Sequence, residues 1–247
     1  MSDGAEPTSY PVTPRNRVKR SHERGQYDRA TVYAVLDAGM LCHVAYVIDG
    51  QPYCTPTIHW REGDRLYWHG SSASRMLRHE KKGAPVCVTV SHLDGLVLAR
   101  SGFNHSANYR SAMCFGTAAI VDDPEEKMRA LAAVTDRFWP DRAATLRPID
   151  EQEVKATTVI GMTIEEASVK IRAKGVGDDD LDDATFPVWA GVIPVSTVIG
   201  PLQPSPILAP GITVPDNLRH YAKGRTLDEA LLETQAIYEA GPPLSGN

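Results

Sequence analysis

Apolar residues in this chain come in short runs divided by brief polar turns. The runs at 40–48, 53–60, 66–69, 85–91, 95–100, 112–121 and 157–172 have the length and the β-branched or aromatic content of strands. Asp49-Gly50 is a hairpin turn signal between the first two. Arg61-Glu62-Gly63-Asp64-Arg65 turns 53–60 into 66–69, and His92-Leu93-Asp94 separates 85–91 from 95–100. Many short strands with brief connections predict an antiparallel barrel, not a parallel α/β sheet.

Helical spacing replaces this pattern at five places. Asp28 caps a helix over 29–38, which turns Val32, Val35 and Leu36 to one side and closes at Gly39. A second helix, over 74–82, ends at Gly83. Asp123, Pro124 and Glu126 supply N-cap, N1 and N3 of a packing helix that runs to Trp139-Pro140, with Met128, Leu131, Thr135 and Phe138 recurring along one face. A short helix at 150–155 precedes the long strand 157–172. Thr226 and Glu229 form a capping box for 226–239, whose Leu227, Leu231 and Ile237 point inward.

Three domain-level pieces follow: an arm at 1–24, a barrel domain at 25–200, and an extended segment with a helix at 201–247. The arm carries Arg15, Arg17, Lys19, Arg20 and Arg24 and reads as solvated or loosely packed, or as reaching over a partner subunit to help place an anionic ligand. SGFNHSANYRS at 101–111 reads as a polar loop holding His105, Asn108, Tyr109 and Arg110, either as binding groups or as an exposed turn. GVGDDDLDD at 175–183 is a surface loop without the regular calcium pattern. The Pro-rich segment 200–215 is expected to lie extended across the body of the protein.

The chain has 247 residues, 42% of them hydrophobic, with a formal net charge of −5. These values describe a globular protein with no electrostatic pull toward nucleic acid. No apolar run approaches the roughly 18 residues of a membrane span, and MSDGAEPTSYPVTP lacks the features of a signal peptide, so a cytoplasmic location is expected. Cys42, Cys54, Cys87 and Cys114 sit in apolar runs without a C-x-x-C pair and read as free thiols. The spacing of His43, His59 and His69 fits no familiar metal-ligand pattern.

The most suggestive local chemistry is Gly70-Ser71-Ser72-Ala73-Ser74-Arg75, where a strand passes into a helix. Free N–H groups, hydroxyls and one guanidinium there suit a phosphate. The same residues also suit an ordinary capped helix, with Ser71 or Ser72 as N-cap and Arg75 in water.

A wider pattern surrounds this turn: TPRNRV (13–18), ERGQYDRATV (23–32), CHVAYVIDGQPYCTPTIHW (42–60), LYWHGSSASRM (66–76), APVCVTV (84–90), DGLVLARSGFNHSANYRSAMCFGTA (94–118), ATTVI (156–160) and PVWAGVIP (187–194). Together these resemble the flavin-binding split-barrel family related to pyridoxamine 5′-phosphate oxidase, most nearly its nitroimidazole-reductase-like branch. The likeness covers most of residues 13–200. It implies a mainly β fold, a six-stranded antiparallel split β-barrel of Greek-key type with flanking helices, paired into a homodimer with FMN at the subunit interface. FAD, a deazaflavin and haem are the alternative ligands.

By the same resemblance, Gly70, Ser71, Ser72, Ser74 and Arg75 hold the flavin phosphate, and Thr55, Pro56, Thr57, Ile58 and His59 offer backbone groups along the isoalloxazine and ribityl chain. Asn108, Tyr109, Arg110 and Ser111 precede the strand that returns to the flavin, and Trp189 walls it in. His69, in YWHGS, matches a functional histidine beside the flavin, where a neutral imidazole holds or protonates a substrate; a strand-end His bonded to backbone is the other reading. The implied activity is NAD(P)H-dependent reduction of small electrophilic or nitroaromatic compounds, with non-catalytic flavin or haem storage as the alternative. A pyridoxamine 5′-phosphate oxidase activity is a further alternative. However, the Arg-x-His pair that follows the C-terminal Trp in those oxidases is missing from AGVIPVSTVIGPLQP after Trp189.

Overall fold

In the computed structural model, which describes residues 7–80, 83–177 and 186–241, Asp49 and Gly50 both take positive φ, 50° and 77°. That left-handed pair makes the tight turn between β2 (Leu41–Ile48) and β3 (Gln51–Glu62). Ahead of them lie β1 (Gly25–Gln26) and α1 (Arg29–Asp37), the latter capped by Asp28 accepting from Thr31 N–H. There follow β4 (Arg65–Ser71), α2 (Arg75–Glu80), β5 (Ala84–Leu98), β6 (Ser106–Ile120) and α3 (Pro124–Phe138). The chain continues through α4 (Glu151–Ala156), β7 (Thr157–Thr163), β8 (Glu166–Arg172), β9 (Gly191–Pro194) and α5 (Leu227–Ala240).

Strands β2, β3, β4, β7, β6 and β5 pair antiparallel in that order, and β5 returns to β2, so six strands close a ring. Strands β8 and β1 continue the sheet beside β6, and β9 lies along the second half of β5. Alternation puts Val44, Leu66, Trp68, Val88, Cys114 and Ile160 inside the ring, plugged by Val32, Val35 and Leu36 of α1 and Leu77 of α2. The opposite faces of β3, β4 and β7 carry Trp60, Tyr67 and Val159, which pack under α3 and α5 through Phe138 and Leu231. This is the mainly β barrel with flanking helices that the sequence suggests.

Several element boundaries differ from expectation. His92-Leu93-Asp94 is not a turn: β5 runs through it with a register irregularity between Leu93 and Gly95, because β6 pairs with it on both sides of that point. Residues 106–111 belong to strand β6, not to a polar loop; Arg110 is anchored from across the pair by Asp94. The stretch 157–172 divides into β7 and β8, both paired with β6. The register moves by one residue between Ala118–Met162 and Phe115–Glu166. The fold-over passes Gly116, where a Cβ would stand 2.3 Å from Thr163 O and 2.7 Å from Met162 Cγ.

Helix α3 is rotated from its expected face: Ala130, Ala133, Arg137 and Phe138 are buried while Met128 is exposed. Thr226 makes no capping bond, whereas Asp150 and Glu153 form a full capping box at α4. The N-terminal arm is packed on its own barrel, with Tyr10 and Asn16 buried, Tyr10 and Tyr33 donating to Asp64, and Arg15 paired with Glu166. Residues 200–215 are without helix or strand and exposed along their length. The acidic part of the 175–183 loop falls outside the described residues.

A buried polar knot joins α1, β3, α3 and α5. The Arg61 guanidinium donates to both oxygens of Asp37, at 3.0 and 2.5 Å, and to Glu239 of α5 at 2.5 Å. Burial opposes the Arg61 charge, but its bonds to Asp37 raise its pKa above the ordinary value. Arg137 donates to Leu231 O, Thr234 Oγ1 and Asp37 O, and burial pulls its pKa down to about 10. His59 lies in the same layer, 2% exposed, with Nε2 3.2 Å from Leu36 O and Nδ1 unpartnered. Burial, reinforced by the Arg137 charge, lowers its pKa to about 4.

Two outcomes are expected. As pH falls, the unfolded chain protonates His59 near 6.5, while the folded chain resists until about 4. The contribution of His59 is therefore whole above about 6.5 and is lost between 6.5 and 4, amounting to about 3 kcal/mol. Urea unfolding across that range should show the loss in the wild type and a shallower slope in His59→Gln. Gly116→Ala should lower unfolding free energy by about 1–3 kcal/mol in the same assay, since backbone stands where the methyl must go.

Candidate functional site

A strand inside a closed barrel has partners on both edges, but β3 does not keep both along its length. It pairs with β4 only through His59–Trp68, Trp60–Tyr67, Arg61–Leu66 and Glu62–Arg65. Residues 51–58 pair with β2 alone, and beyond Trp68 the strand β4 keeps β7 alone. The two strands therefore part, leaving 55–58 and 69–71 as facing edges with backbone groups open to a ligand.

The turn that follows β4 closes one end of this split. Ser72 N–H donates to Ala156 O at 3.0 Å, tying the turn to the end of α4, and Ser74 N–H donates to Ser71 O at 2.8 Å. Arg78 N–H reaches Ser74 O, so Ser74 takes the N-cap position and Ser71 and Ser72 do not; their hydroxyls are free of that duty. A Cβ on Gly70 would come within 3.1 Å of Leu77 Cδ1, so the bare backbone lets α2 settle onto the strand end. Arg75 lies 4.3 Å above the Tyr53 ring and has no carboxylate partner among the described residues. Tyr53 stacks on Tyr46 at 5.5 Å. The cation is positioned by the Tyr53 face, and no carboxylate among the described residues compensates its charge.

His69 stands half-buried on the outer side of β4, its ring 5.8 Å from that of Trp60. Its Nδ1 is buried without a hydrogen-bond partner, and burial lowers its pKa, so the imidazole is neutral at physiological pH. That orphaned nitrogen costs on the order of 1–3 kcal/mol, and His59 carries one of the same kind, so His69 is set apart by its place at the parting of β3 and β4.

The other expected residues scatter. Thr55 Oγ1 is within 3.0 Å of Tyr46 OH; Pro56 and Ile58 face outward; Thr57 is half-buried. His59 must be corrected: its side chain belongs to the buried knot, and its N–H is spent on Met40 O. Asn108 pins Arg172 and Lys174, Ser111 Oγ reaches Lys170 O, and Tyr109 lies between them on β6. Arg110 is neutralised by Asp94 and Asp228, and these carboxylates hold its pKa above the ordinary value, so it is not a free anion anchor. This group sits at the opposite end of β6 from the Ile160–Trp68 pairs that border the split, on the order of 30 Å of strand away. Trp189 is 64% exposed and folds over Gly191, beside β5. One chain does not bring these residues to the turn.

Sequence reasoning missed Tyr46, Tyr53 and Trp60, the aromatic frame of Arg75 and His69. Their place on inner and outer positions of neighbouring strands was the only available signal. Two hollows flank the region. One of about 350 Å³ touches Arg15, Tyr46, Tyr53, Cys87 and Phe115, and one of about 330 Å³ lies farther off among Met40, His92, Asp94, Arg110 and Asp228. None of the four cysteines is in a disulfide, and among the described residues no acidic, His or Cys cluster is placed to hold a metal ion. Among the same residues no helix is long and apolar enough to cross a membrane.

A family model described as pyridoxamine 5′-phosphate oxidase matches residues 28–171. The solved flavocytochrome Anf3 from Azotobacter vinelandii is 42% identical, covers 86% of this chain and 98% of its own, and superposes with a TM-score of 0.80. An FAD and haem binding protein from Mycobacterium smegmatis is 37% identical over 83% of this chain and 98% of its own, with a TM-score of 0.77. A search of curated proteins finds no match.

Proposed function

Because the chain belongs to the pyridoxamine 5′-phosphate oxidase family, we propose that it is a flavin-binding redox protein that also carries haem. The observation that carries this reading is the extensive identity to two proteins, one named a flavocytochrome and the other an FAD and haem binding protein. The residues present fit both groups. Ser71, Ser72 and Ser74 supply hydroxyls and Arg75 a cation for a flavin phosphate, and the free edge of 55–58 supplies N–H and C=O groups for the isoalloxazine rim. His69, a half-buried neutral imidazole at the parting of the strands, is the residue that would ligate haem iron. FAD is favoured over FMN because Tyr53, under Arg75, also borders the hollow of about 350 Å³, which gives a second nucleotide half somewhere to lie.

A bound flavin exchanges one or two electrons, and haem iron exchanges one. The protein's part is to hold both: Trp60 walls His69, the Ser turn is pinned by Ala156 O, and burial keeps the imidazole unprotonated. Without an Arg-x-His pair after Trp189, nothing there anchors a substrate phosphate, so oxidation of pyridoxamine phosphate is not proposed. A small acceptor such as a nitroaromatic would be reduced at the flavin exposed in the split.

The working unit is a homodimer. The outer faces of β2, β3, β5 and β6 expose Leu41 (61%), Val47, Ile58, Leu93 and Met113 in one sheet, an apolar set suited to a second subunit. Trp189 and the 108–111 group, remote from their own turn, can then wall a flavin only in the partner's split.

Purified protein should show an oxidised flavin band and a Soret band, with FAD identified by the mass of the heat-released flavin. His69→Ala should lose the Soret band and keep the flavin, and Arg75→Ala should weaken flavin binding about tenfold while sparing haem. Bleaching of the flavin band by NADPH and its return with a nitroaromatic acceptor reports turnover. A colourless protein that takes up neither group on reconstitution would sink the reading.

A further inference from the structure

Residues 187–215, PVWAGVIPVSTVIGPLQPSPILAPGITVP, contain no charged side chain. Within them the stretch 201–214 forms an arm whose root is closed: Gly224 N–H donates to Ile199 O, Ile199 N–H to Arg225 O and Leu227 N–H to Thr197 O, each at 2.9 Å. Past the arm the chain is pinned again, with Asn217 Nδ2 on Pro140 O and Tyr221 OH on Phe138 O. Between these anchors, hydrogen bonds of the described arm are local, such as Leu208 N–H to Ser205 O and Ile212 N–H to Ala209 O. Ile207 is 91% exposed, and Leu202, Leu208, Ile212 and Val214 are each about half exposed or more.

The exposed apolar side chains of this arm gain from a surface to lie on. With no Lys or Arg, the arm lacks what draws a segment to anionic lipid or to nucleic acid. Pro201, Pro204, Pro206 and Pro210 restrict its backbone, so docking on a protein surface costs little further entropy. The outer sheet that bears Leu41, Val47, Ile58 and Met113 is likewise apolar and exposed.

We propose that residues 201–214 of each chain lie across the outer sheet face of a second copy of this chain, so that two subunits embrace reciprocally. The inference rests on the dimer reading above and names the element that secures it. Sedimentation velocity on the full-length, cofactor-loaded protein should give a dimer, and the double variant Ile207→Asp/Ile212→Asp should raise the dimer dissociation constant about tenfold or more. Its far-UV circular dichroism should be unchanged, because both side chains are exposed. A photocrosslinking residue at position 207, in an equal mixture of isotopically heavy and light protein, should yield heavy–light crosslinks to peptides of β2, β3, β5 or β6. A dimer unaffected by the double variant, with crosslinks only within one chain, would overturn the arm exchange and leave the dimer standing. A wild-type protein that is monomeric at tens of micromolar would overturn both, and so would flotation of that monomer with phosphatidylcholine vesicles, which would assign the arm to lipid.

Discussion

The candidate site depends on the parting of two neighbouring strands, β3 and β4, within the hydrogen-bonded ring. In a six-stranded barrel every edge has a neighbour, and the backbone is spent on holding the ring together. Here β3 and β4 stay paired for four residues each and then separate, so the groups released at 55–58 and 69–71 lie in register across a gap. What surrounds the gap follows from keeping it open: α4 ties back the turn through Ala156 O, and Trp60 and Tyr67, stacked at 5.5 Å, brace the strands where they diverge.

Much of this arrangement could be read in advance, and the reasons differ by element. Asp49-Gly50 and Asp28 act through the local backbone, so their sequence signals needed no tertiary context. The His92-Leu93-Asp94 triplet looked like a turn because polar residues usually end strands. In the folded chain it is a strand face whose Asp94 meets Arg110 across the pair, information that lies sixteen residues away. Likewise periodicity placed Met128 inward on α3, since nothing local says that Arg137 will find Thr234, Leu231 O and Asp37 O beneath α5. Tyr10 in the core was hidden by the charge of the arm around it.

For the site, the turn 70–75 was legible because Gly, Ser and Arg declare their chemistry in order. The roles of His59 and His69 were not separable by sequence: both end apolar runs, and only the alternation of β3 and β4 decides that His59 turns toward α1 and His69 outward. Arg110 and Asn108 carry the chemistry of binding residues but are spent on internal partners, a distinction that only a three-dimensional census of donors and acceptors makes.

The knot of Asp37, Arg61, Arg137 and Glu239 bears on how this chain can change over evolutionary time. Within it, losing Asp37 or Arg61 alone strands a charge in the interior, at a cost of about 3–5 kcal/mol, whereas replacing the pair with apolar residues of matching bulk is close to neutral. Single-step drift at Asp37 and Arg61 is thus blocked while concerted exchange is open, so among relatives these two positions should change together.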